Sequence, residues 1–539
     1  MLPFITLDGL TYHASDGRTL FEDLTLAFAG ERTGVVGRNG CGKTTLLRLI
    51  LGELAPSAGA VATRGAIAVL RQAPAPPPEA SLADLLEVGE ALARLDRLDL
   101  SEAEEGDLER ARWDLPAEIE TALAQVGLAG FDLARPARSL SGGEATRAEL
   151  ARLIITRPDV VLLDEPTNNL DREARALLAG ILETWRGGAV VVSHDRDLLR
   201  RMDRIVEISG LGAKVHGGDY DLYAARRAEE ESAALRDLDV ASRAAKRVER
   251  EIQTARERKA RRDAAGHRAR AKGDQPKMAL DAKAERAEAT GGRQDRLAER
   301  LRGEALDDLR GAQARVEQVR RLNFDLPSSG LAAGKLVLAF DRVAFAWPKG
   351  AAVFSDLSFR LTGPERMAVT GANGSGKTTL IRLAMGELEP TVGLIARGVP
   401  GVVLDQRASV LADDLSLIEN FRRLNPGAGD NAAHAALARF LFRNVAALKL
   451  VRDLSAGERL RAALACVPMT PRPPQLIILD EPTNHLDLDS IAAVEAAIGA
   501  YDGALLVVSH DEDFLAAVRV ERRVELGGIG RMSGESVEP

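Results

Sequence analysis

Cysteine is nearly absent: Cys41 and Cys466 stand far apart, with no CxxC and no histidine-rich neighbour. That excludes a zinc module and a disulfide framework, and it points to a reducing compartment. Aromatic residues are only 4% of the chain, so its cores must be built from Leu, Val, Ile and Ala, as in helix-covered parallel sheets. No run of about 18 apolar residues occurs, and the opening MLPFITLDGLTYHASDG has no basic stretch followed by an apolar one. The expectation is a cytoplasmic protein that neither spans a membrane nor is exported by a signal peptide.

What is present is length and a divided charge. At 539 residues the chain exceeds what one core organises, and its 45% apolar content suffices for several. The formal net charge of −8 argues against nucleic acid as a partner of the whole. From Ala224 to Leu326, however, 26 Lys and Arg face 20 Asp and Glu, a net of +6 that leaves −14 elsewhere.

The chain repeats itself. GRNGCGKTT at Gly37 to Thr45 returns as GANGSGKTT at Gly371 to Thr379, and VVLLDEPTNNLD ending at Asp171 returns as LIILDEPTNHLD ending at Asp487. Gln72 and Gln406, LSGGE and LSAGE, and two copies of VVSHD recur in the same order. Lys43 to Gln72 and Lys377 to Gln406 both span 29 residues, and Asp164 to His194 and Asp480 to His510 both span 30. From lysine to signature serine the counts are 98 and 78, so the first half holds about 20 extra residues, expected as a helical insertion within 80–117. The expected organisation is an α/β cassette over 1–223, a charged helical linker over 224–326 and a second α/β cassette over 327–539. In the linker, Leu238, Ala241, Ala245, Val248, Ile252 and Ala255 follow three-and-four spacing, and Leu297, Leu301, Ala305, Ala312, Val316 and Val319 do so again. Gly266, Gly273 and Pro276 lie between, which predicts a long helical hairpin with its tip at roughly residues 259–277.

GxxxxGK[ST] between an apolar strand and a helix is a phosphate-binding loop, in which glycines let backbone N–H groups converge on phosphate oxygens. The candidate nucleotide-binding residues are Gly37, Asn39, Gly40, Gly42, Lys43, Thr44 and Thr45, and in the second copy Gly371, Asn373, Gly374, Gly376, Lys377, Thr378 and Thr379. The lysines reach the β and γ phosphates, and Thr44 and Thr378 ligate magnesium. Asp164 and Asp480 end apolar strands beside these loops, where a carboxylate can hold the magnesium shell. Glu165 and Glu481 follow as candidate general bases for the attacking water. A lone histidine after a β-branched strand is more often a packing residue. The equal 30-residue spacing of His194 and His510 from the aspartates favours contact with the γ-phosphate.

Together these residues resemble the ATP-binding cassette superfamily, of which LSGGE is the most specific mark. The resemblance covers both halves and implies two P-loop cassettes that face each other head to tail. Ser141, Gly142 and Gly143 are then expected at the nucleotide held by Lys377, and Ser455 and Gly457 at the one held by Lys43. Gln72 and Gln406 complete the candidate magnesium ligands, and Trp347 is the expected adenine-stacking ring. Its counterpart is Ala14, where Tyr12 or His13 could compensate. Cys41 stands where the second loop has Ser375, and Ala456 where the first signature has Gly142.

EPTNNLD, EPTNHLD, the charged linker and the lack of a membrane segment resemble the F subfamily, twin-cassette proteins that act on ribosomes. That resemblance implies ATP and Mg2+ as ligands, and linker helices that reach peptidyl-site tRNA near the peptidyl-transferase centre. It places the first-cassette insertion near the ribosomal exit site. The tip residues Lys259, Arg261, Arg262, Arg268, Arg270, Lys272 and Lys277 are the expected contacts to ribosome and tRNA. A transporter motor and a DNA-repair ATPase are the rivals. The first sits poorly with fused cassettes around a basic hairpin, the second with the missing zinc cysteines.

Overall fold

The structure, a computed structural model, describes residues 3–70, 79–168, 170–210, 212–271, 299–312, 326–348, 350–405, 408–440, 442, 444–527 and 532–533. The chain forms two compact units, Met1–Tyr220 with Leu322–Pro539, and Asp221–Arg321.

In the first unit each half builds the same pair of sheets. The runs VVLLD and GAVVV have no polar face, so they are stable only where both sides are covered by other elements. They become the parallel strands Val160–Asp164 and Gly188–Val192. Six strands run in the order Ile67–Leu70, Val160–Asp164, Gly188–Val192, Arg32–Gly37, Arg204–Ser209 and Gly212–Gly217, all parallel except the last. The second half repeats this order with Gly401–Leu404, Leu476–Asp480, Ala504–Val508, Arg366–Gly371, Arg522–Leu526 and Met532–Ser533. A three-stranded antiparallel sheet accompanies each: Thr19–Phe28, Ile5–His13 and Ala58–Thr63, then Ala352–Thr362, Leu336–Ala346 and Val392–Arg397. Leu162, Leu163, Ile477 and Ile478 are fully buried, and each such side chain contributes about 1.5–3 kcal/mol.

The extra residues of the first half fall inside a shared frame. Ser81 opens a helical turn with a capping box to Asp84, and Ser416 opens the Leu417–Leu424 helix with the same box to Glu419. The bridge Ser81–Pro136 joins positions 55 apart in sequence and its twin Ser416–Leu450 positions only 34 apart. Leu82–Leu85 and Leu115–Gln125 therefore have counterparts in the second half. This corrects the expected insertion of 80–117 to the stretch after Leu86 and before Leu115, which carries the helices Gly89–Asp99 and Asp107–Arg110. Asp107 holds it together, accepting from Arg97 at 2.9 and 3.0 Å beside Arg94, and these guanidinium contacts hold its carboxyl down at about 2.

The second unit is helical. Tyr220–Ala271 is one 52-residue helix, and Leu238, Ala241, Ala245, Val248 and Ile252 lie on its less exposed face, while Ala255 is exposed. A second helical stretch, 299–312, meets it through Arg302 and Glu249 at 3.8 Å. The expected break at Gly266 does not occur: a lone glycine costs a helix about 1 kcal/mol, and its alanine and arginine neighbours are strong helix formers. Lys272, Gly273, Pro276 and Lys277 lie outside the described residues, as do Leu297, Val316 and Val319. So do the side chains of Lys259, Arg262, Arg268 and Arg270; Arg261 is exposed on the helix. No helix among the described residues is long and apolar enough to cross a membrane.

Candidate functional site

The motifs converge because they occupy the carboxyl ends of adjacent parallel strands, where open α/β sheets bind ligands. Gly37 ends the central strand and leads through the loop into the Lys43–Ile50 helix; Gly371 leads likewise into Lys377–Met385. The last loop glycines, Gly42 and Gly376, have φ of 102° and 97°. A side chain there would also collide with a ring beneath the loop: a Cβ on Gly42 would sit 2.7 Å from Phe21, and one on Gly376 2.8 Å from Phe354. Phe21 and Phe354 are thus part of each loop's support. The sequence pattern gave no reason to choose them over other buried aromatics. Lys43 Nζ donates to Gly37 O and Lys377 Nζ to Gly371 O, each at 2.7 Å.

Glu165 and Glu481 depart from the strand with φ of 48° and 46°, left-handed for a residue with a side chain, and each N–H donates to the neighbouring strand's end, Val192 O or Val508 O, at 2.8 Å. That kink turns the carboxylate toward the histidine after the adjacent strand. His194 Nε2 lies 3.2 Å from Glu165 Oε1, and His510 Nε2 3.5 Å from Glu481 Oε1. Burial pushes the Glu165 carboxyl up to about 8 against the pull of Lys43, and Glu481 to about 7 against Lys377 and Arg175. Burial, then the nearby lysine, lowers His194 to about 3 and His510 to about 4, so both rings are neutral at pH 7.

Two cavities result. One of about 640 Å³ is walled by Asn373, Gly374, Gly376, Lys377, Thr378, Thr379, Asp405, Asp480, Glu481 and His510, with Leu170 and Asn484. The other, about 360 Å³, has Thr44, Asp164 and Glu165 on its walls, with Asn168 and His485. In each, a threonine hydroxyl and a strand-end aspartate bring hard oxygen donors together, a set that suits Mg2+ and leaves most positions to phosphate and water. The Asp480 carboxyl is raised by burial and by Asp405, a strain that a cation relieves. Gln72 and Gln406 lie outside the described residues.

Each loop also touches the other half. Asn39 N–H donates to Asp487 at 2.7 Å, its side-chain amide to His485 O at 3.0 Å, and Arg38 pairs with Asp489 at 2.8 Å. The mirror contact, Asn373 N–H to Asp171, is 3.4 Å. Asp171 and Asp487 each use their second oxygen to cap the following helix. Their recurrence as the last residue of both EPTN repeats was the available signal. Arg196 pairs with Glu495 and Arg200 with Asp513, both at 2.8 Å.

Ser141 and Ser455 cap their signature helices through boxes with Glu144 and Glu458. With Gly142, Gly143 and Gly457 they stand on neither cavity's wall. An added Cβ on Gly143 would meet open space, whereas one on Gly457 would meet Leu486 at 2.9 Å. Trp347 is 42% exposed, edge-on to Phe345 at 5.2 Å. Tyr12 pairs with Phe21 as Phe345 pairs with Phe354, and it packs on the core; His13 is exposed and meets Thr19 at 3.0 Å.

Two phosphate-loop sites, each with a strand-end Asp-Glu pair and a facing histidine, joined through their own loops, define a twin-cassette ATPase. The ABC transporter family model matches residues 22–168 and 354–484. The chain is 32% identical over 542 residues to the tylosin resistance ATP-binding protein TlrC of Streptomyces fradiae, covering 94% of each. It is 31% identical to ATP-binding cassette sub-family F member 3 of Mus musculus, covering 95% of this chain and 70% of that one. The chain belongs to the ATP-binding cassette family, in its sub-family F, and it is an ATPase. A solved structure of archaeal ribosome recycling factor aABCE1 in complex with the ribosomal stalk protein aP1 shares the fold, with a TM-score of 0.53 at 16% identity over 97% of this chain and 90% of that one.

Proposed function

We propose that this ATPase binds two ATP between its cassettes and acts on the ribosome as a translation or ribosome-protection factor in the cytoplasm. The observation that carries the first part is the reciprocal contact of each phosphate loop with the Asp171 or Asp487 turn of the other cassette. In this reading ATP is held by Lys43, Thr44 and Thr45 with their loop, and by Lys377, Thr378 and Thr379 with theirs. Trp347 stacks on one adenine. Thr44, Asp164 and Gln72, and Thr378, Asp480 and Gln406, would hold Mg2+, which when bound would supply charge neutralisation on the phosphates. Ser141 and Gly143 meet the γ-phosphate over Lys377, and Ser455 and Gly457 the one over Lys43.

Hydrolysis follows from the chain's own groups. Water attacks the γ-phosphorus, Glu165 or Glu481 accepts its proton, and the bond to ADP breaks. A buried carboxyl titrating close to neutral pH is suited to that task. Neutral His194 or His510 orients the γ-phosphate. ATP draws the cassettes together and hydrolysis releases them.

For the ribosomal role the support is sub-family membership together with a helix 52 residues long that carries most of the linker's basic excess. The test is sedimentation with ribosomes in ATP using the Glu165→Gln, Glu481→Gln protein. Co-sedimentation that is lost without ATP supports the role; its absence rejects it.

A further inference from the structure

The first cassette grips one helix of the second at two places. Asp487 caps the Leu488–Ala500 helix with one carboxylate oxygen and accepts the Asn39 N–H with the other, at 2.7 Å. Eight residues on, about 12 Å along the helix, Glu495 lies 2.8 Å from Arg196, with 16% and 13% of the two side chains exposed. Arg196 opens the short helix that follows His194, and Arg200 at its end makes a bidentate pair with Asp513 at 2.8 and 2.9 Å. The mirrored face has different residues. Arg196, Glu495 and Arg200 correspond to Glu512, Ala179 and Ala516, so neither pair can form there. Glu512 instead pairs with Arg523 of its own cassette at 2.7 Å. The two sites differ accordingly: the mirrored loop contact, Asn373 to Asp171, is 3.4 Å, and the Lys377 cavity is about 640 Å³ against about 360 Å³ at Lys43.

We propose that Arg196 and Glu495 are positioning residues for the Lys43 site. Their pair fixes the Leu488–Ala500 helix against the first cassette, and through it the Asp487 turn on the Asn39 loop, so that this site stays assembled while the cassettes part at the Lys377 site. A rigid helix held at two separated points cannot swing about either one. The exposed Arg38–Asp489 pair adds little, because water screens it. Arg196 and Glu495 are largely withdrawn from water, so removing one leaves the other buried and uncompensated. Nucleotide therefore adds to an existing tie at the Lys43 site and supplies more of the closure at the Lys377 site. ADP leaves the Lys43 site more slowly. This deepens the reading of ATP-driven closure, and it rests on each phosphate loop holding a nucleotide.

The test is release of the fluorescent analogue mant-ADP from the full-length chain at pH 8, where the Glu495 carboxyl, which burial pushes up to about 7 against Arg196, is ionised. The parent should release it in two phases, and Lys43→Ala should remove the slower one. Glu495→Gln keeps the shape and removes the charge. It should speed the slow phase on the order of tenfold, since losing a buried charge partner is read chiefly in the off-rate. The fast phase should change less than twofold. Arg196→Gln should act likewise, and the two changes together no more than either alone, because each removes the same pair. A single phase in the parent, loss of the fast phase in the Lys43→Ala chain, equal acceleration of both phases, acceleration of neither, or additive effects of the two substitutions would each overturn the proposal. Failure of the parent chain to bind mant-ADP at all would instead refute the reading of the loops as nucleotide sites beneath it.

Discussion

The ammonium of Lys377 lies 2.8 Å from His510 Nε2. An ammonium only donates, so this ring nitrogen accepts, and His510 is the neutral tautomer with its proton on Nδ1. The first cassette shares the histidine–glutamate approach and the lysine bond to the first loop glycine, but there the second contact of the lysine is to the Arg38 carbonyl rather than to the histidine ring. Identical motifs thus hold two distinct polar networks, and the sites are unequal before any ligand is considered.

Removing both general bases should uncouple binding from turnover. Glu165→Gln with Glu481→Gln keeps the phosphate contacts, so ATP binding persists while hydrolysis falls by about 10²–10⁴. A rapid phosphate-release assay reads it; unchanged steady-state turnover would refute the assignment.

The inequality should also appear in ATP affinity. The Lys43 site combines Cys41, the Ala456 signature and no ring at Ala14, whereas the Lys377 site has Trp347. Trp347→Ala should cost that site about 1 kcal/mol, roughly fivefold in affinity, and leave the other untouched. Calorimetry on the parent should resolve two affinities, and two equal sites would count against the idea.

A stability prediction follows from the buried carboxyls. Burial raises Glu165 to about 8 and Glu481 to about 7 in the folded protein, so the folded state holds protons that the unfolded chain, titrating near 4.5, gives up. Stability from these groups is therefore present at low pH and lost as pH rises from about 4.5 to about 8. Without nucleotide, the double Gln variant should be more stable than the parent at pH 8 by several kcal/mol, and the difference should vanish below about pH 4. The two histidines act in the opposite sense, losing stability as pH falls below 6.5, but they are common to both proteins. Urea midpoints across this range decide it, and a pH-independent difference would contradict it.

The linker prediction concerns charge alone. From Lys259 to Lys277 there are seven Lys and Arg against Asp263 and Asp274, and no aromatic residue lies between Ala224 and Asn323 to stack on bases. Contacts to RNA should then be to phosphates and indifferent to sequence. Replacing Arg261, Arg262, Arg268 and Arg270 with Ala should weaken ribosome association and flatten its salt dependence, with ATP binding intact. Pelleting across a salt series in the hydrolysis-deficient background tests this. Equal affinity and equal slope would reduce the segment to a solvated end.

The sequence by itself determined the duplication, the phosphate loops, the strand-end carboxylates and the facing histidines. Each of these is a local pattern: a glycine where φ is positive, an apolar run that must be covered on both faces, a fixed distance along the chain between neighbouring strand ends. The long linker helix was legible for the same reason, although its continuation through Gly266 was not, because one glycine's cost is small against a long run of helix formers.

Tertiary structure alone decided what meets across the halves. Nothing in their spacing brings Asn39 to Asp487, or makes Phe21 the floor beneath Gly42. Tyr12 rather than His13 fills the core position because strand register, not composition, selects which side chain faces inward. The physical reason is common to all of these: local backbone conformation is fixed by neighbours in sequence, whereas contact between distant side chains depends on how two buried surfaces pack, which no single segment encodes.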